Sequence, residues 1–260
     1  MTLLEYIAIN HMQIISLFVE HIKLTFISVG MAILLGVPLG IAISHNAKAS
    51  KPILAIANTV QAIPSMALLG FMIPFLGIGK IPAIVAVVLY SLLPIIKNTY
   101  TGLENINPQT LESAKGIGLT PMQVLMKIQI PLALPVIMAG VRIASVTAVG
   151  LMTIAAFIGA GGLGYLVFSG IRTVNTNQIL AGAIPACILV LAVDFLLSMV
   201  ESLVTPTSMQ KTKEKIAPRT RRIQKAVIGF VGGGLVVVLL VGMFGGATRS
   251  TAHKTLVIGA

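Results

Sequence analysis

Two groups of residues in this sequence could do chemistry. One is the polar segment 112–131 (ESAKGIGLTPMQVLMKIQIP), which lies between long apolar runs. The other consists of ionisable side chains inside those runs, chiefly Arg142 and Asp194. Neither group has catalytic spacing, because the sequence contains no Walker motif, no GxSxG, no HExxH and no closely spaced carboxylate pair. We therefore predict that the chain is not an enzyme and has no catalytic residue.

Cysteine usage argues against a metal site. The single cysteine, Cys187, lies inside an apolar run, so neither a disulfide framework nor a thiolate metal site is possible. We predict no metal ligand and no cofactor bound by this chain.

The composition is that of an integral membrane protein. Of the 260 residues, 56% are hydrophobic and only 10% are charged, which is too little charge to cover a soluble domain. The apolar stretches are long and are separated by short polar joints, as in helical spans, and they lack the alternation of barrel strands. The predicted fold class is therefore an all-α integral membrane protein.

The apolar runs predict a domain order. Residues 1–22 are predicted to form an amphipathic peripheral helix, and residues 23–205 the main transmembrane domain with a polar loop at 98–130. A basic linker over 206–225 precedes an additional transmembrane helix at 226–247, and 248–260 begins a short strand. The six predicted spans are 24–43, 53–76, 81–96, a fourth from about 131 into the glycine-rich 157–164, 179–204 and 226–246.

Two of these spans are predicted to be irregular. The second contains polar residues and Pro64, which favours a kinked helix that faces an interior instead of lipid. The fourth ends in FIGAGGLG (157–164), where four glycines within six residues predict a turn or re-entrant backbone.

The distribution of basic residues predicts the orientation. If the polar segment is cytoplasmic, twelve of the 18 Lys and Arg residues lie inside and five outside, which satisfies the positive-inside rule. We therefore expect a multi-pass protein of the bacterial cell membrane with both termini outside. The basic linker is expected to bind anionic lipid, and no nucleic-acid partner is expected because the orientation accounts for most of the positive charge.

Capping signals divide the polar segment into two short helices. Asn107 followed by Pro108 predicts a helix start, and Gly116-Ile117-Gly118 predicts its end. Thr120 and Gln123 form a capping box for a second helix over 121–130, which is predicted to stop before Pro131. Capping alone would also fit an ordinary surface loop.

The spacing within this segment resembles the EAA motif of ABC importer permeases. Glu112, Ser113, Ala114 and Gly118, followed by Ile130-Pro131, take the motif's positions, with Ser113 in place of alanine and Ile130 in place of leucine. The resemblance implies a type I ABC importer (MetI-like) permease bundle of about six transmembrane helices with cytoplasmic coupling helices. It assigns docking of a partner ATPase to Glu112, Ser113, Ala114, Gly116, Gly118, Ile130 and Pro131.

Three longer stretches indicate which group of ABC importer permeases the chain resembles. Residues 61–79, 89–103 and 155–171 are similar to permeases of glycine betaine, choline and carnitine importers. This implies a homodimer with a cytoplasmic ATPase dimer that carries ATP and Mg²⁺, and a solute of the quaternary ammonium or betaine type. Ergothioneine is a further candidate solute. In some such permeases a substrate-binding domain is fused, and the end HKTLVIGA (253–260) resembles the start of one.

The residues of the solute pathway are less specifically marked. The candidates share a polar or polarisable side chain, or a helix-breaking proline, within the spans: Gln61, Pro64, Ser65, Met66, Tyr90 and Asp194. Asp194 also has a structural interpretation, as the ion-pair partner of Arg142. Three other functions remain open at this point, namely an ion-coupled secondary carrier that uses Asp194, a methionine-type ABC permease and a membrane receptor.

Overall fold

A computed structural model describes residues 2–204, and within this range the chain forms nine α-helices. They are α1 (Leu3–Ser44), α2 (Ala47–Ala62), α3 (Ser65–Leu76), α4 (Lys80–Glu104), α5 (Pro108–Gly116), α6 (Pro121–Val124), α7 (Ile130–Ala155), α8 (Leu163–Arg172) and α9 (Thr176–Val204). The linker, the additional span and the C-terminal strand predicted over 206–225, 226–247 and 248–260 lie outside the described residues.

The first helix is much longer than predicted. α1 runs without a break through 42 residues, about 63 Å, whereas the hydrocarbon core of a bilayer is about 30 Å thick. Its start is fixed by a capping box between Thr2 and Glu5, and neither glycine nor proline interrupts residues 3–29. The prediction of a separate peripheral helix over 1–22 is therefore corrected: this segment continues directly into the first span.

The second span is broken, as its prolines predict. α2 and α3 meet at an angle of 99°. Ile63, which precedes Pro64, has extended backbone (φ −67°, ψ 129°), because a residue before proline is disfavoured in the helical region. The break at residues 63–64 thus follows from local sequence.

The central helix α4 lies between α1 and α7, and glycines make the contacts close. Ideal Cβ atoms at Gly36 and Gly40 of α1 would lie 2.9 Å from Ile95 and 2.6 Å from Thr99 of α4. A Cβ at Gly140 of α7 would lie 2.7 Å from the carbonyl oxygen of Pro94. Small residues at these positions let the helix backbones approach, which is how helices associate in lipid.

The polar segment continues into the fourth span. A π-helical turn (Leu125–Gln129) joins α6 to α7, and the N–H of Ile130 donates to the carbonyl of Leu125. Pro131 directly follows this wider π-helical turn, which accommodates the proline within the continuous helix. The prediction that the second short helix stops before Pro131 is therefore wrong, and residues 121–158 form one membrane-spanning unit of 38 residues.

The glycine-rich stretch makes the predicted turn. A 3₁₀ turn (Ala156–Ile158) ends α7, and Gly159, Gly161 and Gly162 have φ of 84°, 86° and 67°. The chain then reverses into α8, which packs against α9. At Gly164, α8 approaches the backbone of Thr153 so closely that a side chain would overlap it.

Among the described residues, four helical units are long and apolar enough to cross a membrane, and the α2–α3 pair can supply a fifth. The four are α1, α4, the α6–α7 unit and α9. Together with the predicted span outside the described residues, this agrees with a bundle of about six helices.

The glycine contact at Gly140 gives a first prediction. Replacing Gly140 with alanine should lower the free energy of unfolding by about 1–3 kcal/mol, because the added methyl group must displace the backbone of α4. Gly150 is the matched control on the same helix, since it is exposed and its Cβ would meet no described atom within 4 Å. Thermal unfolding of the detergent-solubilised variants measures both, and equal melting temperatures would contradict the prediction.

Candidate functional site

The capped helix α5 (Pro108–Gly116) carries the first part of the polar segment (residues 112–131). The side-chain oxygen of Asn107 accepts the N–H of Gln109 at 2.9 Å, and Pro108 occupies the first helical position. Both features were predicted. They fix the start of the helix that carries Glu112, Ser113 and Ala114.

A glycine turn separates the two short helices. α5 ends at Gly116, and Gly118 has a φ of 85°, a conformation that side chains other than glycine rarely adopt. The N–H of Leu119 donates to the carbonyl of Ala114 at 3.3 Å, which closes the turn on the end of α5. The predicted break at 116–118 is confirmed.

The second half begins with the predicted capping box. The N–H of Thr120 donates to the Gln123 side chain at 2.9 Å, and the N–H of Gln123 donates to the Thr120 hydroxyl at 3.4 Å. This reciprocal pair fixes the start of α6. Ile130 and Pro131, at the end of the segment, are the first two residues of α7.

The polar segment is attached to the ends of two long helices. Leu111 packs against an apolar cluster at the C-terminal end of α4 and the N-terminal end of α7, formed by Leu103, Ile106, Ala133 and Ile137. Ala114 and Val124 are buried as well. A force applied to the segment therefore acts directly on α4 and α7.

The outer face of the segment exposes large apolar side chains among polar ones. Ile117 is 79% exposed, Met122 67% and Met126 58%, and the neighbouring Glu112 is also exposed. Flexible methionine side chains next to a rigidly capped helix are typical of a protein-docking surface. This arrangement of exposed side chains on a capped helix is suited to bind another protein.

The structure brings most of the predicted pathway residues together at the α2–α3 break. The Tyr90 hydroxyl donates to the carbonyl of Ile63, and Tyr90 and Ser65 line a small cavity with four apolar residues. Gln61, Pro64 and Met66 are exposed around the same break. Gln61 and Met66 thus lie on exposed surface beside the break, next to exposed apolar side chains such as Phe71, and their place in a solute pathway stays a prediction.

Asp194 does not belong to this group. Its carboxylate accepts two hydrogen bonds from the Arg142 guanidinium, at 2.6 and 2.9 Å, and Glu201 lies 3.5 Å from the same guanidinium. From α7, the cavity at the α2–α3 break is reached by Leu151, nine residues or about 13 Å along the helix from Arg142. The predicted pairing of Asp194 with Arg142 is present, and it separates Asp194 from the other pathway candidates.

Sequence reasoning missed a second polar cluster, at the opposite end of the bundle. Glu20 of α1 contacts Lys80 at the start of α4 and the backbone of Gly162 before α8. An acidic residue within an apolar helix was the available sign. Its partners could not be found from spacing, because they lie 60 and 142 positions away.

The sequence of this chain is similar to those of known membrane transport components. Residues 32–207 match the family model described as "Binding-protein-dependent transport system inner membrane component". The chain is 42% identical over 212 residues to the choline transport system permease protein OpuBB of Bacillus subtilis, covering 82% of this chain and 98% of that protein. It is also 42% identical over 215 residues to the osmoprotectant import permease protein OsmW of Salmonella typhimurium, covering 81% and 100%.

A third relative and two solved structures extend the comparison. The glycine betaine/carnitine/choline transport system permease protein OpuCB of B. subtilis is 44% identical over 195 residues, covering 75% of this chain and 90% of that protein. A chain of the inward-facing MetNI methionine ABC transporter superposes with a TM-score of 0.66 at 28% identity, covering 72% and 94%. A chain of an amino acid ABC transporter crystallised with histidines gives 0.63 at 20% identity, covering 78% and 99%, which shows likeness of fold.

The Arg142 pair gives a second prediction. Arg142→Met should reduce the yield of folded protein more than Asp194→Asn, because it removes every contact of the guanidinium with α9, whereas Asp194→Asn leaves the contact of Arg142 with Glu201. Size-exclusion profiles of the detergent-solubilised variants measure this order. A well-folded Asp194→Asn protein that has lost all transport would instead favour a direct role of Asp194 in the solute pathway.

Proposed function

Because the chain belongs to the family of inner membrane components of binding-protein-dependent transport systems, we propose that it is the permease subunit of an ATP-driven ABC importer for quaternary ammonium and betaine-type solutes. The carrying observation is the capped polar segment, with its exposed large apolar side chains and its attachment to α4 and α7. The chain is a multi-pass membrane permease and not an enzyme. As an importer permease it works with an ATPase, a substrate-binding protein and a second permease.

The polar segment is the surface that docks in a groove of the ATPase. Glu112 and Ser113 are exposed on α5 whereas Ala114 is buried beneath them, and Gly116 and Gly118 form the turn that lets a partner approach closely. Ile130 and Pro131 connect this contact to α7. Closure of the ATPase dimer, which carries ATP and Mg²⁺, would displace the polar segment and, with it, α4 and α7.

The second permease is another copy of this chain. The α2–α3 unit exposes much of its apolar surface, including Phe71 at 62% and Phe75 at 70%. In a homodimer this face and the polar residues near the break would border the solute pathway. By the positive-inside rule, the polar segment lies inside the cell and both termini lie outside.

The solute is a small quaternary ammonium or betaine: choline, glycine betaine, carnitine or ergothioneine. The names and identities of the relatives support the first three. The chain has no tryptophan and only 5% aromatic residues, too few for an aromatic cage within the bundle. Selection of the solute therefore falls chiefly to the substrate-binding partner.

That partner is fused to the C-terminus. About four fifths of this chain match OpuBB and OsmW along nearly their full length, so the remaining fifth is additional to those relatives. The family match ends at residue 207, and beyond it the chain carries most of the basic linker, the apolar run 226–247 and residues 248–260. This order would carry the chain back across the membrane to an outer binding domain.

Docking of the ATPase gives a third prediction. Glu112→Lys should reduce copurification of the partner ATPase at least tenfold, because it reverses the charge at this position of the docking face. Gly118→Ala should have a similar effect by straining the turn.

Gly150→Ala is the matched control for a glycine substitution, because Gly150 lies on α7 outside the polar segment. Gly150 is exposed and does not have a positive φ, and a Cβ there would meet no described atom within 4 Å. It should copurify the ATPase as well as the unchanged chain. If the unchanged chain captured no ATPase, or if Glu112→Lys left both capture and uptake intact, the importer function would be refuted.

Solute competition gives a fourth prediction. In cells without other uptake systems, the assembled transporter should take up radiolabelled choline or glycine betaine, and excess carnitine or ergothioneine should reduce that uptake. Uptake should stop when ATP is depleted, even if ion gradients are kept. Competition by methionine alone would favour the methionine-type alternative, and uptake that followed the ion gradient without ATP would favour a secondary carrier.

A further inference from the structure

Glu20 joins three separate parts of the bundle. One carboxylate oxygen lies 2.5 Å from the Lys80 ammonium at the start of α4. The other accepts the N–H of Gly162, the residue before α8, at 2.9 Å. We name this cluster of Glu20, Lys80 and Gly162, with the neighbouring Gly79 and Ile158, the outer clamp.

The backbone reinforces the clamp. The N–H of Gly79, just before α4, donates to the carbonyl of Ile158, just after α7, at 2.8 Å. The start of α4 and the end of α7 are thus connected twice, directly by their backbones and indirectly through Glu20.

The glycine turn is shaped around the side chains of α1. An added Cβ at Gly161 would overlap the Glu20 carboxylate, and one at Gly162 would lie 2.9 Å from the His21 ring. His21 is completely buried, and its Nε2 lies 3.2 Å from the carbonyl oxygen of Val149 on α7. Glu20 is therefore held at a defined position.

The clamp and the polar segment occupy opposite ends of the same two helices. α4 runs from Lys80 to Glu104, about 37 Å, and its far end packs with the start of α7 against Leu111 of α5. α4 and α7 are already packed together along their length, through the close contacts at Gly102 and Gly140. The clamp adds α1 and the turn before α8 to this pair at its outer end. Without the ion pair, a displacement of α4 would reach the turn before α8 less completely.

The ion pair contributes little to folding itself. The Lys80 side chain is 57% exposed and that of Glu20 26%, and partly exposed ion pairs stabilise a fold only weakly. Its geometric effect is larger, because a single carboxylate fixes α1, α4 and the turn before α8 relative to one another.

We infer that Glu20 is a positioning residue for transport, which couples the outer end of α4 to α1 and to the turn before α8 so that displacement of the polar segment reaches the outer side of the bundle. The inference rests on the proposed function, because it requires an ATPase that moves the polar segment. It assigns Glu20 and Lys80 a role in transmission and none in solute binding.

The test compares variants that differ only in the ionic link. Glu20→Gln keeps an oxygen for the Gly162 N–H and loses the charge, and Lys80→Met removes the cation. Lys80→Arg restores it. Glu5→Gln is the matched control, since it makes the same change on the same helix and preserves the capping box with Thr2.

Spin labels at two positions, one at each end of the bundle, are measured in the complex with the ATPase. Cys187 is replaced by serine in all variants. Tyr165→Cys labels the exposed face of α8, and Glu104→Cys labels the exposed inner end of α4. Pulsed dipolar spectroscopy measures the distance between the equivalent labels of the two permease copies, with and without ATP and vanadate.

The expected result is a change of distance at both labels in the unchanged chain and in the control. In Glu20→Gln and in Lys80→Met the change at residue 165 should fall at least twofold, while the change at residue 104 stays the same. The double variant should be no worse than either single variant, and Lys80→Arg should recover the full change. A purely structural role would instead alter both labels together.

Equal changes at residue 165 in all variants would overturn the inference and leave the proposed function standing. Effects of Glu20→Gln and Lys80→Met that simply add in the double variant would also overturn it, because the two side chains would then act separately. Failure of the unchanged chain to bind an ATPase would overturn the proposed function, and this inference with it.

Discussion

Close approach of helix backbones is the constraint on which this bundle depends. Lipid supplies no hydrophobic force that drives helices together, so association relies on packing and on polar contacts between helices. α4 meets this requirement on two sides, against Gly36 and Gly40 of α1 and against Gly140 of α7. The other contacts of the core, including the apolar cluster beneath the polar segment, require α4 to stay in this position.

Several polar groups within the spans also find partners on other helices. Arg142 is satisfied by Asp194 and Glu201, and Tyr90 by the carbonyl that the α2–α3 break leaves free. The ion pairs thus hold helices that are distant in sequence. The surfaces without such internal partners, on α2, α3 and the polar segment, are the ones assigned to a second permease and to the ATPase.

Local signals were sufficient to predict the spans, the break at Pro64, the glycine turn and both caps of the polar segment, because each depends on a few adjacent residues. Two helix boundaries were wrong for a different reason. Polar residues near position 20 suggested an end to the first helix, but Glu20 and His21 find partners on other helices and the helix continues. Pro131 suggested another end, but a π-turn absorbs it. Long-range pairing and tolerance of a proline cannot be deduced from local sequence.

The π-turn at Leu125–Gln129 has a consequence for helical phase. Such a turn amounts to one residue inserted into an α-helix, and each residue of an α-helix advances the direction of a side chain by about 100°. The docking face of α6 is therefore rotated by about that angle from where a continuous helix would direct it relative to α7. This single turn therefore sets the angle between the proposed ATPase-docking surface and the helix that crosses the membrane.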